Sequence, residues 1–418
     1  MTNPNLFISA GEASGEHYGA LLVEALKLQL AAQGQTGRFF GMGGERMAAA
    51  GLERVVRSED IAVMGLTEVI HHLPRIYGEF RKLKKAVRDP ERRPDVAILI
   101  DLPDIHLKLA AELHSLGIPV IYFVSPQLWA WKKGRIELVK KYVDKMLVIF
   151  PFEEAFYREQ GVQAEFVGHP LAETPLPSIG RAEFAALNGL NPEKTWIGIL
   201  PGSRPKEIRN HLPEMLEAGW GLVERECTDC REYEFLVPLA PTLNAAQRAE
   251  VLELVEEFGC GLDIRLVEDA SAALFHARVS VVASGTATVE AALIGNPFVV
   301  VYRVSPLTYA IAKRVVTVPH IAMANLIADK RVVPELIQDN FTAANIVQQI
   351  EPLLPDGAPR ESMMQELRQI RALLNTGPAG QNGGPHHQTG GAIHRVAAIA
   401  LGQIGIAPVA RIEDKVRS

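Results

Sequence analysis

Residues 196–212 read W-I-G-I-L-P-G-S-R-P-K-E-I-R-N-H-L. The apolar run 197–200 has the length of a buried parallel strand, and the Pro201-Gly202 pair ends that run. Ser203 can cap a helix that follows, and Pro205 falls in the first turn of that helix, where its missing N–H costs little. A strand, a tight turn and a helix N-terminus in this order indicate one βα unit of a parallel sheet.

The turn after this strand also has the features of a phosphate site. A helix N-terminus presents unpaired N–H groups and the positive end of the helix dipole, and such an end binds phosphate. Arg204 adds a cationic donor that can form two parallel hydrogen bonds with a phosphate. An ordinary strand–helix turn would explain the same residues if they stood alone. Gly202, Ser203 and Arg204 are therefore candidate phosphate ligands, and the rest of the chain decides between the two interpretations.

The composition is that of a globular protein with two domains. A chain of 418 residues is expected to divide into domains of about 200 residues each. Its 48% hydrophobic and 22% charged residues are ordinary, and its net charge of −6 gives no general argument for a nucleic-acid partner. No apolar run approaches the ~20 residues of a membrane span. The first strand starts soon after Met1, so no signal peptide is expected.

The three cysteines, Cys227, Cys230 and Cys260, predict no disulfide framework. The C-x-x-C spacing of the first two is half of a zinc or redox motif, but no second pair completes it. We interpret all three as unpaired thiols in a reducing cytoplasm.

Apolar runs alternate with helical patterns along the chain. The runs lie at residues 6–10, 39–40, 96–100, 120–124, 146–150 and 165–168 in the first half, and at 197–200, 233–237, 263–266, 279–283 and 298–302 in the second. Strands separated by helices indicate βαβ units. The predicted fold class is therefore α/β, with two doubly wound, Rossmann-like domains and an interdomain cleft. Ligands of such sheets bind at the carboxyl ends of the strands.

A proline-rich segment, 169–180, separates the two halves and is interpreted as the interdomain linker. The predicted domains are residues 1–170 and 171–375. A Gly-rich segment and a C-terminal helix, within 376–418, are expected to pack back on the first domain. His386 and His387 lie in the Gly-rich segment, where a flexible loop is a better interpretation than a metal site.

Carboxylates follow two strands of the first half. Asp101 and Asp104 come directly after the run 96–100, where a partly desolvated carboxylate can act as a general base towards a hydroxyl. Alternatively, Asp104 caps the next helix. Glu12 and Glu16 lie on the glycine-rich turn after the first strand and project to the same edge. This placement leaves open a carboxylate pair for glycoside hydrolysis.

Small and hydroxyl residues follow the run 279–283. Ser284 and Gly285 allow a ligand to approach the backbone, and Thr286 supplies a hydroxyl near a helix N-terminus. Glu290 suits hydrogen bonding to a diol such as ribose, or alternatively complements the helix dipole. Asn325 belongs to a polar island that either reaches the cleft or is structural.

The segment 62–77 has apolar residues at helical spacing, followed by basic residues. This stripe is either core or, beside the basic cluster, a surface that docks on an anionic bilayer. Pro74 is expected to kink or start the helix. The apolar residues are Leu66, Val69, Ile70, Leu73 and Ile76, and the basic ones are Arg75, Arg81, Lys82, Lys84, Lys85 and Arg88.

Seven motifs, taken in order, resemble the lipid-A-disaccharide synthase family. They are G-E-A-S-G-E at 11–16, A-V-M-G-L-T-E-V at 62–69, D-L-P-D at 101–104, V-S-P-Q-L-W-A-W at 124–131, L-P-G-S-R at 200–204, S-G-T-A-T-V-E at 284–290 and M-A-N-L at 323–326. The resemblance implies a GT-B fold and an inverting glycosyltransferase of lipid A biosynthesis in a Gram-negative bacterium. Its implied donor is UDP-2,3-diacylglucosamine, and its implied acceptor is 2,3-diacylglucosamine 1-phosphate (lipid X). The products would be a β(1→6) disaccharide 1-phosphate and UDP.

The resemblance also implies roles for individual residues. Asp101 would be the base for the acceptor 6-hydroxyl, and Glu12 would contact the acceptor or that base. Arg204 would hold the donor diphosphate, and Glu290 would bind the ribose. Asn325 matches a family residue that supports activity through the donor phosphates.

The same resemblance implies where the protein is located and what it binds besides its substrates. The membrane-docking patch of the family falls on Leu66, Val69, Ile70 and Leu73, which implies a cytoplasmic protein held peripherally on the inner face of the inner membrane. The family also implies a homodimer formed through C-terminal exchange, with no metal and no cofactor. Two alternatives stay open. One is a UDP-N-acetylglucosamine 2-epimerase of the same fold, and the other is a non-catalytic protein that binds nucleotide sugars or lipids.

Overall fold

The computed structural model describes residues 3–62, 69–130, 133–225, 232–315, 318–376 and 391–407. These residues form two compact units, each with one parallel β-sheet and flanking helices. Unit 1 contains the described residues of Met1–Glu173 and Leu374–Ser418, and unit 2 contains those of Thr174–Leu373. The α/β prediction with two doubly wound sheets is confirmed.

Unit 1 has a seven-stranded sheet in the order β3-β2-β1-β4-β5-β6-β7. Its strands are β1 (Asn5–Ala10), β2 (Arg38–Gly43), β3 (Glu53–Arg57), β4 (Val96–Ile100), β5 (Val120–Phe123), β6 (Lys145–Val148) and β7 (Ala164–Phe166). Its helices are α1 (Ala13–Ala31), α2 (Glu45–Ala50), α3 (Glu59–Ala62), α4 (Val69–Arg88), α5 (Pro103–Ser115), α6 (Ile136–Tyr142), α7 (Pro151–Glu159) and α17 (Ala392–Gln403).

Unit 2 has a six-stranded sheet in the order β10-β9-β8-β11-β12-β13. Its strands are β8 (Thr195–Leu200), β9 (Tyr233–Pro238), β10 (Ile264–Val267), β11 (Val279–Ala283), β12 (Phe298–Tyr302) and β13 (Glu335–Ile337). Its helices are α8 (Arg181–Asn188), α9 (Pro205–Arg225), α10 (Ala245–Phe258), α11 (Ala270–His276), α12 (Thr286–Ile294), α13 (Pro306–Val315), α14 (Met323–Ala328), α15 (Ala343–Ile350) and most of α16 (Ala358–Thr376).

The central strands are continuous apolar runs because helices cover both faces of a parallel sheet. Every residue of β4 is fully buried, and the core of unit 1 on one face includes Phe7, Phe40, Leu99 and Tyr122. Burial of each such side chain contributes about 1.5–3 kcal/mol relative to exposure. The sheets are therefore rigid supports for the turns at their edges.

In each unit the strand order reverses between two central strands, β1 and β4 in unit 1 and β8 and β11 in unit 2. Ala10 pairs with Ile100, so the turns after β1 and β4 start at the same level of the sheet. Leu200 pairs with Val282 in the equivalent place of unit 2. Ligands of open α/β sheets bind where the strand order reverses, so these two edges position the candidate sites.

Two strands of the fold were not predicted. β3 has the sequence E-R-V-V-R and lies at the edge of its sheet, where charged side chains interrupt the apolar pattern. β13 has three residues, too few for a periodic signal, and is also an edge strand.

The C-terminal helix α17 packs on α1 within unit 1. Gln29 Nε2 donates to the carbonyl of His394 at 3.0 Å, and Arg395 Nε donates to the carbonyl of Val167 at 2.7 Å. These two hydrogen bonds, one donated by α1 and one by α17, supplement the apolar packing of α17, most of whose residues are buried.

The predicted docking helix is present as α4, and it continues through Pro74. Pro74 lies in the second turn, where it removes one backbone hydrogen bond without ending the helix. Leu66 lies outside the described residues, and Val69, Ile70 and Leu73 are described only as part of the α4 backbone. None of the helices in the described ranges has the length and apolar character needed to cross a membrane.

Two further predictions fall outside the described residues. They concern Cys227 with Cys230 and His386 with His387. Cys260 is described, and its thiol is free and exposed.

Candidate active site

Asp101 lies on a strained turn between β4 and α5. Asp101 and Leu102 both have left-handed backbones, with φ values of 54° and 49°. For residues other than glycine this conformation costs on the order of 1–2 kcal/mol each. Such strain persists only where the surroundings hold the backbone, and it concentrates at functional sites.

Two buried side chains hold the carbonyl of Asp101. His106 Nδ1 lies 2.7 Å from this oxygen, and the Tyr122 hydroxyl donates to it at 2.5 Å. His106 Nε2 in turn lies 2.8 Å from Ser9 Oγ. Because a carbonyl only accepts, Nδ1 carries the proton and Nε2 accepts from the Ser9 hydroxyl. Burial lowers the pKa of His106 to about 4, so the ring is neutral at physiological pH.

The carboxyl group of Asp101 has an environment that suits a base near neutral pH. Burial and, secondarily, the negative charge of Glu12 raise its pKa to about 7, although the N–H of Leu102 acts in the opposite direction. A general base works best when its pKa is close to the working pH. Asp101 can therefore accept a proton from a hydroxyl at neutral pH.

Glu12 reaches the same edge, as the sequence predicted. It is the exposed N-cap residue of α1, directly after Gly11. A Cβ atom on Gly11 would lie 2.4 Å from a methyl carbon of Leu102, so the two turns touch, and a larger residue at position 11 would displace the Leu102 side chain.

Glu16 and Asp104 have structural partners instead. The Glu16 carboxylate accepts the N–H of Met47 at 3.0 Å, in the first turn of α2. Asp104 is exposed and forms an ion pair with Arg135. The suggestion that Asp104 caps α5 is wrong, because the N-cap residue is Leu102.

The loop after β5 contains a buried polar cluster that the sequence did not reveal. Glu153 is fully buried and accepts hydrogen bonds from Trp129 Nε1 at 3.1 Å and from the N–H of Phe150 at 3.1 Å. The Ser125 hydroxyl and the Tyr157 hydroxyl lie 2.8 Å apart. Burial raises the pKa of Glu153 to about 7. The motif V-S-P-Q-L-W-A-W marked this loop, but no local pattern pairs Trp129 with a carboxylate on α7.

In unit 2, the turn after β8 carries the residues that were predicted to bind phosphate. Gly202 has a φ of 117°, which favours glycine, and α9 begins at Pro205. The side chain of Arg204 is 72% exposed.

The carboxylate of Glu207 occupies the hydrogen-bond donors of this turn that could bind an anion. Glu207 Oε2 accepts the N–H groups of Ser203 at 3.3 Å and Arg204 at 3.4 Å, and Glu207 Oε1 accepts from the Arg204 guanidinium at 3.1 Å. Glu207 is three residues after Arg204, the spacing of a capping box. That spacing is the signal in the sequence that could have identified Glu207.

His211, on α9, anchors this turn through hydrogen bonds to the backbone. It is fully buried, and its Nδ1 donates to the carbonyl of Pro201 at 2.8 Å, while its Nε2 accepts the N–H of Arg303 at 3.0 Å. Burial lowers the pKa of His211, which keeps the ring neutral.

The turn after β11 is open towards solvent. Gly285 and Thr286 are exposed, and a Cβ atom on Gly285 would meet nothing within 4 Å. Gly285 is the N-cap residue of α12, and as a glycine it has no side chain that could cap the helix. The N–H of Ser284 donates to the carbonyl of Val301 at 3.0 Å, which ties the start of the turn to β12. This helix end can therefore bind an anion through its backbone.

Glu290 lies in the second turn of α12, where the Ser271 hydroxyl donates to its carboxylate. Burial, opposed by this hydrogen bond, raises the pKa of Glu290, and the charge of Asp269 adds to that effect. The unshared lone pairs of the carboxylate can accept hydrogen bonds from a diol.

The surroundings of Asn325 do not fit the contact with the donor phosphates that the resemblance implied. Asn325 is fully buried, and its amide oxygen accepts the N–H groups of Val332 at 2.7 Å and Val333 at 2.9 Å. Its Nδ2 donates to the carbonyl of Val333 at 2.9 Å and to the Glu335 carboxylate at 2.8 Å. An amide has four such positions, and all are occupied. The implied contact with the donor phosphates is not available in this arrangement, and Asn325 instead joins α14 to β13.

Two groups of predicted residues thus come together, one in each unit. Glu12 and Asp101 meet at the edge of the unit 1 sheet. The turns 202–204 and 284–286 follow the neighbouring strands β8 and β11 in unit 2.

Comparison with known proteins identifies relatives over most of the chain. A family model described as lipid-A-disaccharide synthetase matches residues 6–381. A lipid-A-disaccharide synthase from Acidobacterium capsulatum is 62% identical over 382 residues, which cover 89% of this chain and 92% of the relative. One from Koribacter versatilis is 48% identical over 379 residues, which cover 90% of this chain and 95% of the relative.

Solved structures share the fold at low sequence identity. The calicheamicin glycosyltransferase CalG4 has a TM-score of 0.55 at 17% identity and covers 97% of this chain and 99% of its own. A UDP-GlcNAc 2-epimerase from Neisseria meningitidis bound to UDP-GlcNAc has a TM-score of 0.56 at 11% identity and covers 89% of this chain and 99% of its own. These similarities support a two-domain GT-B fold.

Proposed function

The chain belongs to the lipid-A-disaccharide synthase family, and from this membership we propose which residues carry out each part of the sugar transfer. The protein is a glycosyltransferase that forms the lipid A disaccharide. The proposed donor is UDP-2,3-diacylglucosamine, and the proposed acceptor is lipid X. The epimerase alternative has only the shared fold in its favour, whereas the glycosyltransferase has relatives at 62% and 48% identity.

Unit 2 binds the donor in this proposal. The N–H groups of Gly202 and Ser203, the Arg204 guanidinium and the open helix end at 284–286 hold the diphosphate, and Glu290 accepts hydrogen bonds from the ribose. The proximity of β8 and β11 supports this assignment, because it places both turns at the reversal of strand order.

The donor diphosphate displaces Glu207 from the turn. The Glu207 carboxylate accepts from the N–H of Ser203 and from the Arg204 guanidinium, two of the groups assigned to the phosphate, and also from the N–H of Arg204. A phosphate at these donors would be repelled by the Glu207 carboxylate, so we expect the side chain of Glu207 to move when UDP binds.

Unit 1 supplies the base. The Asp101 carboxylate accepts the proton of the acceptor 6-hydroxyl while that oxygen bonds to the anomeric carbon of the donor. The bond from that carbon to the β-phosphate oxygen breaks, and its electron pair leaves with UDP. Arg204 and the helix N-termini stabilise the charge that grows on the diphosphate. A single displacement inverts the anomeric configuration and gives the β(1→6) linkage. The observation that carries this role is the place of Asp101 at the carboxyl end of β4, on a turn whose carbonyl is held by side chains of α5 and β5, where burial and Glu12 raise the pKa of its carboxyl group to about 7.

Membrane contact is assigned to the α4 region. Leu66, Val69, Ile70 and Leu73 enter the cytoplasmic leaflet of the inner membrane, and the exposed Arg81 and Lys85 on α4 face its anionic headgroups. Flotation with vesicles containing anionic lipid, compared with neutral vesicles, tests this contact. The homodimer formed through C-terminal exchange is tested by the mass of the protein in solution.

The function is tested by incubating the protein with UDP-2,3-diacylglucosamine in the presence and absence of lipid X. UDP release and the lipid products are followed by mass spectrometry. We expect UDP release only with lipid X, together with a tetra-acyl disaccharide phosphate. UDP release without the acceptor would indicate hydrolysis or epimerisation and would overturn the proposal.

A further inference from the structure

Three buried side chains from three elements converge on the carbonyl of Asp101. Tyr122 comes from β5, His106 from α5 and Ser9 from β1, and none of the three has exposed surface. Tyr122 and His106 contact the carbonyl directly, at 2.5 and 2.7 Å, and Ser9 contacts His106 at 2.8 Å. We refer to these three residues as the carbonyl clamp.

The clamp gives the carbonyl of Asp101 two hydrogen-bond donors, although one would satisfy it. Most buried carbonyls are satisfied by one partner, whereas this one accepts from an imidazole and a phenol at once. Burying a tyrosine hydroxyl and a histidine ring without exposure is costly unless both are hydrogen-bonded. Here those hydrogen bonds end on the backbone of the candidate base.

The clamp also acts on a backbone whose conformation is unfavourable for residues other than glycine. Asp101 and Leu102 are both left-handed, and the N–H of Asp101 donates to the carbonyl of Phe123 at 3.2 Å. With its N–H and its carbonyl both tied, the peptide planes around Asp101 are fixed. Those planes determine the direction of the Cα–Cβ bond, from which the carboxylate extends.

We propose that Ser9, His106 and Tyr122 are positioning residues for the reaction, because they hold Asp101 in the left-handed conformation that aims its carboxylate at the acceptor hydroxyl. The inference rests on the proposed role of Asp101 as the base. None of the three residues touches a reacting atom. A misplacement of the base by about 1 Å can cost 10²-fold in rate, so loss of a clamp hydrogen bond affects turnover more than binding.

The test compares Tyr122→Phe, His106→Leu and His106→Asn. Tyr122→Phe removes one hydroxyl and keeps the ring, and we expect kcat to fall about 10-fold with unchanged UDP affinity and KM for the donor. His106→Leu is expected to lose about 100-fold. His106→Asn keeps a donor near the place of Nδ1, so it is expected to restore most of the activity that His106→Leu loses.

Tyr157→Phe is the matched control. Tyr157 is also fully buried at this edge of the sheet, but its hydroxyl pairs with Ser125 and not with Asp101. We expect an unchanged kcat. If Tyr157→Phe and Tyr122→Phe lowered kcat equally, or if His106→Asn were as slow as His106→Leu, the clamp would be a general support of the fold and the inference would be wrong.

A double variant separates this inference from the proposed function. In an Asp101→Asn background, Tyr122→Phe should lower kcat no further, because the group that the clamp positions is already lost. Equal effects of Tyr122→Phe in both backgrounds would overturn the clamp and leave the base role standing. Full activity of Asp101→Asn itself would overturn the base role. Tyr122→Phe keeps the inference testable if His106→Leu does not fold.

Discussion

The turn after β4 in unit 1 and the turn after β8 in unit 2 each lie beside the point where the strand order of their sheet reverses. In both, a fully buried histidine from the next helix donates from Nδ1 to the carbonyl of the first residue after the strand. His106 does so to Asp101 at 2.7 Å, and His211 does so to Pro201 at 2.8 Å. Burial lowers the pKa of both histidines, so both anchors are neutral.

The side chains on these two turns differ in charge and exposure. The unit 1 turn carries a carboxylate whose pKa burial and Glu12 raise to about 7, on a strained non-glycine backbone. The unit 2 turn carries an exposed arginine and a left-handed glycine. The same backbone anchor thus supports the proposed base in one unit and the proposed phosphate site in the other. The chemistry is set by which side chain the anchored turn presents.

The largest effect is expected for Asp101→Ala. Loss of the base should lower kcat by about 10²–10⁴-fold, the usual contribution of a general base. Steady-state turnover with saturating donor and acceptor measures it. Asp104→Ala is the control, because Asp104 lies three residues later, in the first turn of α5, where it is exposed and paired with Arg135. Comparable losses in both variants would mean that the turn, and not the carboxylate of Asp101, is required.

Arg204→Ala should act on the nucleotide. We expect the inhibition constant of UDP to rise about 10- to 100-fold, since a hydrogen bond to a charged group contributes about 1.5–3 kcal/mol. Product-inhibition kinetics provide the measurement. Arg209→Ala, which removes an exposed cation of α9 that pairs with Glu250, should leave the constant unchanged. An unchanged constant for Arg204→Ala would remove that residue from the phosphate site.

Glu207→Gln is expected to tighten UDP binding. The amide can still accept from the N–H groups of the turn, but the competing negative charge is gone, so affinity should rise by a factor of about three to ten. Titration calorimetry with UDP measures the change. Glu217→Gln, at an exposed position of α9, serves as the control. Weaker binding by Glu207→Gln would show that the carboxylate supports the site instead of occupying it.

The smallest effect is expected for Glu12→Gln, in the pH dependence of turnover. A base must be ionised, so kcat should rise as the pH increases through the Asp101 pKa of about 7. Removal of the Glu12 charge favours ionised Asp101, so the acid limb of the profile should move to lower pH. Glu24→Gln, on the exposed side of α1, should not move it. An acid limb that moved to higher pH would contradict the coupling between these carboxylates.

Local patterns predicted the sheets and the positions of the two turns. The strands 96–100, 279–283 and 298–302 were predicted to the residue, because each is a continuous apolar run between polar segments. The left-handed backbone of Asp101 could not be predicted, since residues other than glycine adopt that conformation only rarely and Asp101 carries no local signal for it.

The contacts that define each site join distant residues. Tyr122 is 21 positions from Asp101, and Arg303 is 92 from His211, so no spacing rule connects them. Asn325 shows the reverse case. Its motif was recognised, but its saturated, buried amide could be seen only in the structure.

The division between the two turns is tested most directly by measuring UDP binding to Asp101→Ala and Arg204→Ala by calorimetry under the same conditions. We expect wild-type affinity for Asp101→Ala, which should bind UDP but not turn over, and weakened affinity for Arg204→Ala. An equal loss of UDP affinity in both variants would contradict the assignment of the proton to one turn and the anion to the other.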